Sequence, residues 1–472
     1  MASTNPYRTV TRRDFLRLAA TSGAALLLAD ACGGDRPSVA PTPDAGTPGA
    51  QGGTVKWAEF YSTLAAGAAA AAGIDGAANK AWVAAVVHQF ESENAGWKVE
   101  LETVPYGQVD QRSAVDLNAN VSHDLVFVTP QLMARHALIG DLLDLEPFIS
   151  KLPFADQQDL SWSPAWQASR VKGKQLAIPV GLHTYALAYN RELCQKAGVD
   201  LSGAGLSLDQ LVVAGGKLTG RDQKTWGLAL PWPDARTAVE RVYAPLVWHF
   251  GGTLFDEVKG VATFGGDAGR QAAQWLLDMI TKQKIAALPL PTGGSGAGDA
   301  GLEAFTRGQA AAVLGFASGD IGALQAGGMV SGCLPATRAC RAERAGVAPL
   351  PTAGQAAFTG GRCLAIHALS QQPEMAFRLL RVILRPENLR TYPDASLPAR
   401  LSTWQTNEYK TSFYEAWLAA ARKGRPMPQT PYYWELTDTV GAALAAVLAQ
   451  KAAPADALQK AEDQWNSRYS AS

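Results

Sequence analysis

Apolar residues along this chain follow two spacings, one typical of strands and one typical of helices. Alternating or short apolar runs predict strands at residues 54–60, 99–104, 124–128, 177–180 and 186–189, with a sharp connection between the last two. Apolar side chains at helical spacing predict helices at residues 80–90, 271–280, 375–383 and 442–448, and another that ends near Gly140. Strands that alternate with helices favour βαβ units and parallel sheets, so the predicted fold class is α/β.

The N-terminal segment differs from this pattern. It contains a motif that resembles the twin-arginine export signal, formed by Thr11, Arg12, Arg13, Asp14, Phe15 and Leu16. The uncharged apolar run at residues 18–29 is too short to span a bilayer as a helix, but it suits the apolar core of a signal peptide. Residues 1–32 are therefore predicted to be an export signal rather than a chance arginine pair before a buried helix.

Cys32 resembles the lipobox cysteine of bacterial lipoproteins, which is acylated and becomes the mature N-terminus. Ala31 fits that motif, whereas Asp30 departs from it and the preferred leucine stands one place early, at Leu28. Residues 33–53 are rich in Gly, Pro, Ala, Ser and Thr and predict a flexible linker. We expect an extracytoplasmic, membrane-anchored lipoprotein. Without lipidation, cleavage after a small residue would release the chain.

Charge and length narrow the remaining possibilities. The sequence has 42 basic and 42 acidic residues, and its formal net charge of zero gives no indication of a nucleic-acid partner. The roughly 420 residues that follow the signal are enough for two lobes. No later stretch is long and apolar enough to predict a transmembrane helix. The 13 Trp and 12 Tyr are more than a core alone requires.

The cysteines after Cys32 lack the two-residue gap of a zinc ribbon or a redox site; they are Cys194, Cys333, Cys340 and Cys363. In an oxidising compartment an even number favours disulfides, and the preferred pair is Cys333 with Cys340, which enclose a short loop. The alternative is that all four are small buried apolar residues. The six His have no metal-ligand spacing, so neither a metal nor a cofactor is predicted.

Local motifs follow one another in a characteristic order along the rest of the chain. They are residues 173–179 (GKQLAIP), 187–190 (LAYN), 196–200 (KAGVD), 251–256 (GGTLFD), 305–311 (FTRGQAA), 347–351 (VAPLP), 360–361 (GG) and 397–400 (LPAR). In this order they resemble the extracellular solute-binding proteins of the carbohydrate class that serve ABC importers, the maltose-binding-protein-like family. The resemblance covers the chain from about Gly53 to the C-terminus.

The resemblance implies two α/β lobes of the type II periplasmic-binding-protein fold, with a hinge and a central ligand cleft. Residues 54–181 with about 360–400 would build the N-terminal lobe, and residues 182–359 with about 401–472 the C-terminal lobe. A sugar that contacts both lobes would stabilise the closed hinge state. The permease of the importer would then recognise that state. The chain is expected to be a monomer.

Candidate ligand contacts are polar and aromatic residues at strand ends and at the proposed hinge. Ligands of open α/β sheets bind at the carboxyl ends of strands, and sugar hydroxyls need fixed polar partners. The candidates are Glu59, Tyr61, Ser62, Thr129, Gln131, His183, Tyr185, Trp232, Phe316, Gly361, Arg362 and Trp434. Phe316 stands where relatives often carry a Trp platform, whereas the uncharged Thr129 and Gln131 depart from maltose-type sites.

Each candidate has a structural alternative. Trp232 and Phe316 could instead be core residues, and His183 could be a structural hydrogen-bonding group. Of the adjacent Tyr432, Tyr433 and Trp434, two are expected to pack inward and one to face the cleft. The remaining tryptophans at helical or strand-edge positions are interpreted as packing residues: Trp82, Trp97, Trp275, Trp417 and Trp465.

Two other functions stay open. A secreted glycosidase needs two carboxylates at a set separation, which the sequence does not reveal, although no nucleophile-elbow, zinc-protease, Walker A or dinucleotide motif occurs. The same fold could instead bind a peptide, a polyamine or a metal chelate. Clustered acids or an arginine clamp would favour those solutes, whereas an aromatic cleft favours a sugar. The prediction is a sugar receptor that is not an enzyme.

Overall fold

The computed structural model describes most of the chain that follows the predicted export signal and linker. The described residues are 52–61, 76–105, 108–121, 123–203, 205–220, 224–232, 234–287, 299–333, 340–352, 357–392 and 396–470. The twin-arginine-like motif, Cys32 and Ser62 lie outside them.

The strands form one eight-stranded sheet and several two-stranded ribbons. They are β1 Gly53–Glu59, β2 Trp97–Thr103, β3 Leu125–Val128, β4 Arg170–Val171, β5 Lys174–Gln175, β6 Ile178–Asn190, β7 Phe255–Asp256, β8 Val261–Ala262, β9 Ala312–Ala317, β10 Val330–Ser331, β11 Arg341–Ala342, β12 Ala345–Ala348, β13 Thr359–Ile366 and β14 Leu397–Pro398.

The α-helices cover both lobes. They are α1 Gly76–Glu93, α2 Val109–Ala119, α3 Met133–Ile139, α4 Glu146–Ile149, α5 Phe154–Ser161, α6 Pro164–Ala168, α7 Arg191–Ala197, α8 Leu208–Leu218, α9 Ala235–Ala238, α10 Ala244–His249, α11 Asp267–Thr281, α12 Ala300–Thr306, α13 Ile321–Ala326, α14 Pro373–Ile383, α15 Pro386–Arg390, α16 Ser412–Arg422, α17 Tyr433–Leu448 and α18 Pro454–Tyr469. Short 3-10 turns lie at Pro130–Leu132, Ser318–Asp320, Leu401–Gln405 and Asn407–Tyr409, and a π-helical turn at Val239–Tyr243.

We call the part of the molecule built on β1, β2, β3 and β13 the first lobe. β1 lies between β2 and β3 and is parallel to both, and β13 returns antiparallel to β3. All four residues of β3 are buried, as expected for a central strand covered on both faces. The core of this lobe joins α1 to α14, whose Leu379, Leu380 and Ile383 are fully buried.

We call the part built on β9, β12 and the C-terminal helices the second lobe. Two clusters of buried apolar side chains fill it. One joins α11 to α17 and α18 and includes Leu276, Leu444 and Leu458. The other lies around β9 and α16, where Phe316 packs against Trp417 with ring centroids 5.9 Å apart. Helices thus cover both faces of these strands, which is the layering predicted for an α/β chain.

The strand β6 belongs to both lobes. From Ile178 to Thr184 it pairs with β13, and from Tyr185 to Tyr189 it pairs with β9. The sequence predicted two strands with a sharp connection here, and that prediction is wrong. Gly181, His183 and Thr184 interrupt the apolar pattern, but the antiparallel partner β13 continues the hydrogen-bond ladder across them.

The structure confirms the preferred cysteine pair. Cys333 and Cys340 form a disulfide, and both side chains are buried. Cys194 and Cys363 are buried free thiols. The tryptophans interpreted as packing residues are also buried or packed against the cores: Trp82, Trp97, Trp275, Trp417 and Trp465.

Candidate functional site

The carboxyl end of β1 carries three of the predicted contacts, and the structure describes two of them. Glu59 is 1% exposed and accepts a hydrogen bond of 2.7 Å from the Thr103 hydroxyl. Tyr61 is fully buried, with its hydroxyl 2.7 Å from that of Tyr392. Its ring packs at 5.4 Å from that of Trp82. Tyr61 therefore lies in the first-lobe core rather than presenting a ring to a ligand.

The turn after β3 brings polar groups toward the second lobe. Thr129 is 8% exposed, and the Gln131 amide nitrogen donates to Glu240 of the second lobe over 3.4 Å. The neighbouring Leu132 is 2% exposed and packs in the second-lobe core. The turn after β3 is therefore one of the places where the first lobe touches the second.

Glu240 is the centre of a buried polar group that also contains Gln131, Tyr185 and Tyr433, which we call the Glu240 cluster. The Tyr433 hydroxyl donates to Glu240 Oε1, and the Tyr185 hydroxyl donates to Oε2 over 3.3 Å. Burial raises the pKa of Glu240, and the hydrogen bonds from these neutral donors oppose that rise only in part. The cluster thus holds a carboxylate out of water without a cation bonded to it in the described structure.

Glu240 and Arg241 both lie in the π-helical turn at Val239–Tyr243. Such turns are rare in proteins, but those that occur often lie at functional sites. Arg241 donates to Asp320 over 2.8 Å and to Asp299 over 3.2 Å, and its guanidinium lies 5.8 Å from the centre of the Tyr185 ring. Burial raises the pKa of Asp299, although the charge of Arg241 opposes that shift. Carboxylates therefore outnumber cations in this part of the second lobe.

The next three candidates, His183, Gly361 and Arg362, lie on the paired strands β6 and β13. His183 Nε2 lies 2.8 Å from the Ser396 hydroxyl, which ties β6 to the segment before β14. Arg362 is 9% exposed, and its guanidinium lies 5.7 Å from the ring centres of Phe60 and Phe127. A Cβ at Gly361 would meet the Gly181 carbonyl oxygen at 2.1 Å. The glycine is thus required by the approach of β13 to β6, not by the approach of a ligand that the sequence predicted.

The aromatic candidates of the second lobe differ in their burial. Trp232 is 5% exposed and Phe316 is fully buried, and both lie within core clusters. Neither offers a flat face for a sugar, so their core alternative describes them better. Tyr433 is fully buried in the Glu240 cluster, whereas Trp434 is half-buried and stacks on the Arg236 guanidinium at 4.9 Å.

Neither Glu240 nor Arg241 was predicted as a site residue from the sequence. Both residues follow a good helix start, in which Asp234 accepts hydrogen bonds from Thr237. An adjacent Glu and Arg in a helical run is typical of a solvated face. A signal that could have pointed to them is the preceding Pro231 and Trp232, which come shortly after the bridge between Ala229 and Val313 of β9.

The described part of the chain contains neither a candidate metal site nor a candidate membrane-spanning helix. It holds no group of three or more His, Cys, Asp or Glu side chains suited to a metal ion. Among its helices, none combines the length and the apolar character that crossing a bilayer requires.

Solved structures show the same fold at low sequence identity. The GacH receptor of Streptomyces glaucescens GLA.O is 22% identical, with a TM-score of 0.66, over 89% of this chain and 98% of that one. The sugar-binding protein MalE of Xanthomonas citri is 17% identical, with a TM-score of 0.71, over 87% of this chain and 96% of that one. These neighbours confirm the predicted two-lobed, type II periplasmic-binding-protein fold.

Sequence comparison gives the family. A putative binding protein of Brucella abortus (strain 2308) is 24% identical over 199 residues, which are 42% of this chain and 46% of that protein. The match thus spans about half the length of this relative. The profile of the bacterial extracellular solute-binding proteins matches residues 71–389, more than half of the chain, and agrees with the predicted extracytoplasmic location. On this match, the chain belongs to the family of bacterial extracellular solute-binding proteins.

Proposed function

We propose that this chain is a receptor that captures a sugar, with an oligosaccharide preferred, by closing its two lobes and delivers it to an ABC importer. The observation that carries the proposal is the Glu240 cluster, in which Gln131 of the first lobe donates to Glu240 of the second. A ligand that contacts both sides of such a contact binds the closed form better than the open one, and so shifts the hinge equilibrium.

The chemistry of the candidate site supports a sugar. Carboxylate, amide and phenol groups can exchange hydrogen bonds with hydroxyls, and the half-buried Trp434 supplies an aromatic surface. A ligand that leaves one of these buried groups unpaired loses about 1–3 kcal/mol of binding free energy, and this loss gives the site its specificity. Solved neighbours of this fold were crystallised with acarbose, with cycloalternan and with maltotetraose.

The residues proposed to contact the ligand are the predicted candidates apart from Tyr61, Trp232, Phe316 and Gly361. They are Glu59, Ser62, Thr129, Gln131, His183, Tyr185, Arg362 and Trp434, with Glu240 added from the structure. We further infer that residues 54–181 with about 360–400 form one lobe, because the first-lobe core contains residues from both of these segments. The rest of the folded chain would then form the other lobe.

Export and anchoring remain part of the proposal. The twin-arginine-like motif would send the chain across the membrane, and acylated Cys32 would hold it there through the linker at residues 33–53. A receptor tethered in this way would act as a monomer that reaches the permease.

A different solute is the second candidate. Asp299 and Asp320 both pair with Arg241, and Glu240 has no cation bonded to it among the described residues, so carboxylates are in excess around these residues. Such an excess favours a cationic solute, for example a polyamine. An enzyme acting on glycosides is less well supported, because the family consists of binding proteins.

A thermal-shift screen of the full chain tests the proposal. A solute present at about a hundredfold its dissociation constant stabilises the folded state by about 2.7 kcal/mol. We expect neutral oligosaccharides to raise the unfolding temperature and to be recovered unchanged afterwards. A shift with polyamines or peptides alone would replace the sugar, and hydrolysis of the added glycoside would replace the receptor by an enzyme.

A further inference from the structure

Gln429 lies on the segment between α16 and α17, which belongs to the second lobe. Its backbone nitrogen donates to the Glu257 carboxylate over 2.9 Å, and the nearby Met427 is buried in the second-lobe core. Four residues before Gln429, the Arg425 backbone nitrogen donates to the Ala357 carbonyl oxygen over 2.9 Å, and Ala357 also packs in the second-lobe core. The backbone that carries Gln429 is therefore fixed to its own lobe.

The side chain of Gln429 bonds only to the first lobe among the described residues. Its amide nitrogen donates to the Ala168 carbonyl oxygen over 2.9 Å and to the Pro130 carbonyl oxygen over 3.4 Å. Ala168 is the last residue of α6, and the final carbonyls of a helix have no partner within the helix. Gln429 thus supplies, from the other lobe, a donor that this helix end needs.

The turn at Pro130–Leu132 of the first lobe makes further contacts with the second lobe. Pro130 accepts from Gln429, Gln131 donates to Glu240, and Leu132 packs in the second-lobe core. Gln429 differs from Gln131 because its partners are backbone carbonyls rather than the side chains proposed to meet a ligand. Its hydrogen bonds join the two lobes and involve no ligand.

We propose that Gln429 is a closing latch, a positioning residue that stabilises the closed arrangement of the lobes before any solute binds. This inference rests on the proposed hinge closure, and it adds which residue sets the balance between open and closed forms. Removal of the latch lowers the closed population of the free chain, and solute affinity falls by the same factor because only the closed form is bound tightly.

Single-molecule fluorescence transfer on the full, ligand-free chain tests the latch. Dyes on unnatural amino acids at Leu138 of the first lobe and Val213 of the second, which are 40% and 62% exposed, report the separation of the lobes. Gln429→Met keeps the side-chain length and removes the donor, so we expect the closed fraction to fall about tenfold, equivalent to 1.4 kcal/mol. Gln429→Glu should lower it further, because its carboxylate would face two carbonyl oxygens.

The matched control is Gln195→Met, an exposed glutamine on α7 of the second lobe, which should leave the closed fraction unchanged. Equal transfer distributions for the wild-type chain and Gln429→Met would overturn the latch. If Gln429→Met fails to fold by circular dichroism, Gln429→Asn gives the same test, because its shorter amide does not reach both carbonyls. Loss of closure in these variants, with no thermal shift from any sugar, would keep the latch and remove the sugar proposal.

Discussion

Two polar clusters of this molecule, one in each lobe, differ in whether their buried charges have partners of opposite charge. In the first lobe, Glu102, Arg112, Asp116 and His123 form what we call the His123 cluster. His123 lies 2.6 Å from Asp116 and 2.8 Å from Glu102, and Arg112 lies 2.9 Å from Asp116. Every charge there meets an opposite charge. In the Glu240 cluster, a carboxylate meets only neutral donors.

The pKa shifts follow from this difference. Burial would raise the pKa of Asp116 and lower that of His123, but their mutual attraction reverses both, so the ionised pair is stabilised. In the Glu240 cluster, burial raises the pKa of Glu240, and burial together with Glu240 raises those of Tyr185 and Tyr433. The first cluster thus stabilises the fold, whereas the second costs stability at the place where the lobes meet. Costs of that kind are typical of functional sites.

Loss of one partner from the His123 cluster should have the largest effect. Asp116→Ala removes the most buried carboxylate of the cluster, which lies 2.6 Å from His123, and leaves Glu102 as the remaining partner of His123 and Arg112. Removal of one partner of a buried ion pair typically costs about 3 kcal/mol or more. We expect a fall of about 3 kcal/mol in the free energy of unfolding, measured by urea denaturation. Asp267→Ala is the control, since that carboxylate is 92% exposed, and should change nothing measurable. Equal stability of Asp116→Ala and the wild-type chain would remove the contrast between the clusters.

The matching change in the Glu240 cluster should have the opposite sign for stability. Glu240→Gln removes a carboxylate whose raised pKa costs stability from about pH 4.5 upward, with the full cost reached above the raised value, so the variant should unfold at a higher temperature than wild type at pH 8. Solute affinity should fall by about 1–3 kcal/mol, because an acceptor for ligand hydroxyls is lost. Calorimetric titration and thermal unfolding check both effects. Exposed Glu415→Gln is the control, and a destabilised Glu240→Gln would contradict the reasoning.

The pH dependence of the His123 cluster gives a smaller effect with a defined sign. The raised pKa of His123 adds stability that is complete below about 6.5 and is lost as the pH rises through the raised value. The lowered pKa of Asp116 adds stability that is complete above about 3.8 and is lost as the pH falls through the lowered value. The difference in unfolding temperature between wild type and His123→Gln should therefore be largest near pH 5. A difference that grows toward pH 9 would show that His123 is stabilised in its neutral form.

An exposed ion pair should have the smallest effect and set the scale for the others. Arg385 and Glu93 form two hydrogen bonds of 2.5 and 2.6 Å, but their side chains are 34% and 41% exposed. Water and salt screen such pairs, so Glu93→Gln should cost at most about 0.5 kcal/mol and less at high salt. Denaturation at low and high salt measures this. A cost that matches that of Asp116→Ala would mean that burial does not distinguish the clusters.

The sequence predicted the fold better than the site, and particular residues show why. Strands such as β3 and helices such as α14 have apolar patterns that depend on one segment alone, and they occur close to the predicted places. Residues at strand ends are different. Phe316 was predicted at the cleft, but adjacent residues of a strand point to opposite faces, and its ring lies in the core. The sequence gives the position along the strand and not the face.

Glu240 and Gln429 could not be predicted for another reason. Each is an ordinary polar residue locally, and each acquires its environment from contacts across the molecule, at separations of 109 residues for Gln131–Glu240 and 261 for Ala168–Gln429. Without such long-range contacts a glutamate in a helical run is best interpreted as solvated. The motif order identified the family, but not the polar group that joins the lobes.

The position of β13 has a consequence for how the protein is made. The strand that completes the first-lobe sheet comes more than 230 residues after β3, and α14 follows it. While the ribosome synthesises the second lobe, β3 has an unpaired edge and the first-lobe core lacks part of its apolar lining. The N-terminal half of the chain therefore cannot finish folding before the C-terminal half has emerged, so binding by chaperones during translation is expected to concentrate on the first lobe.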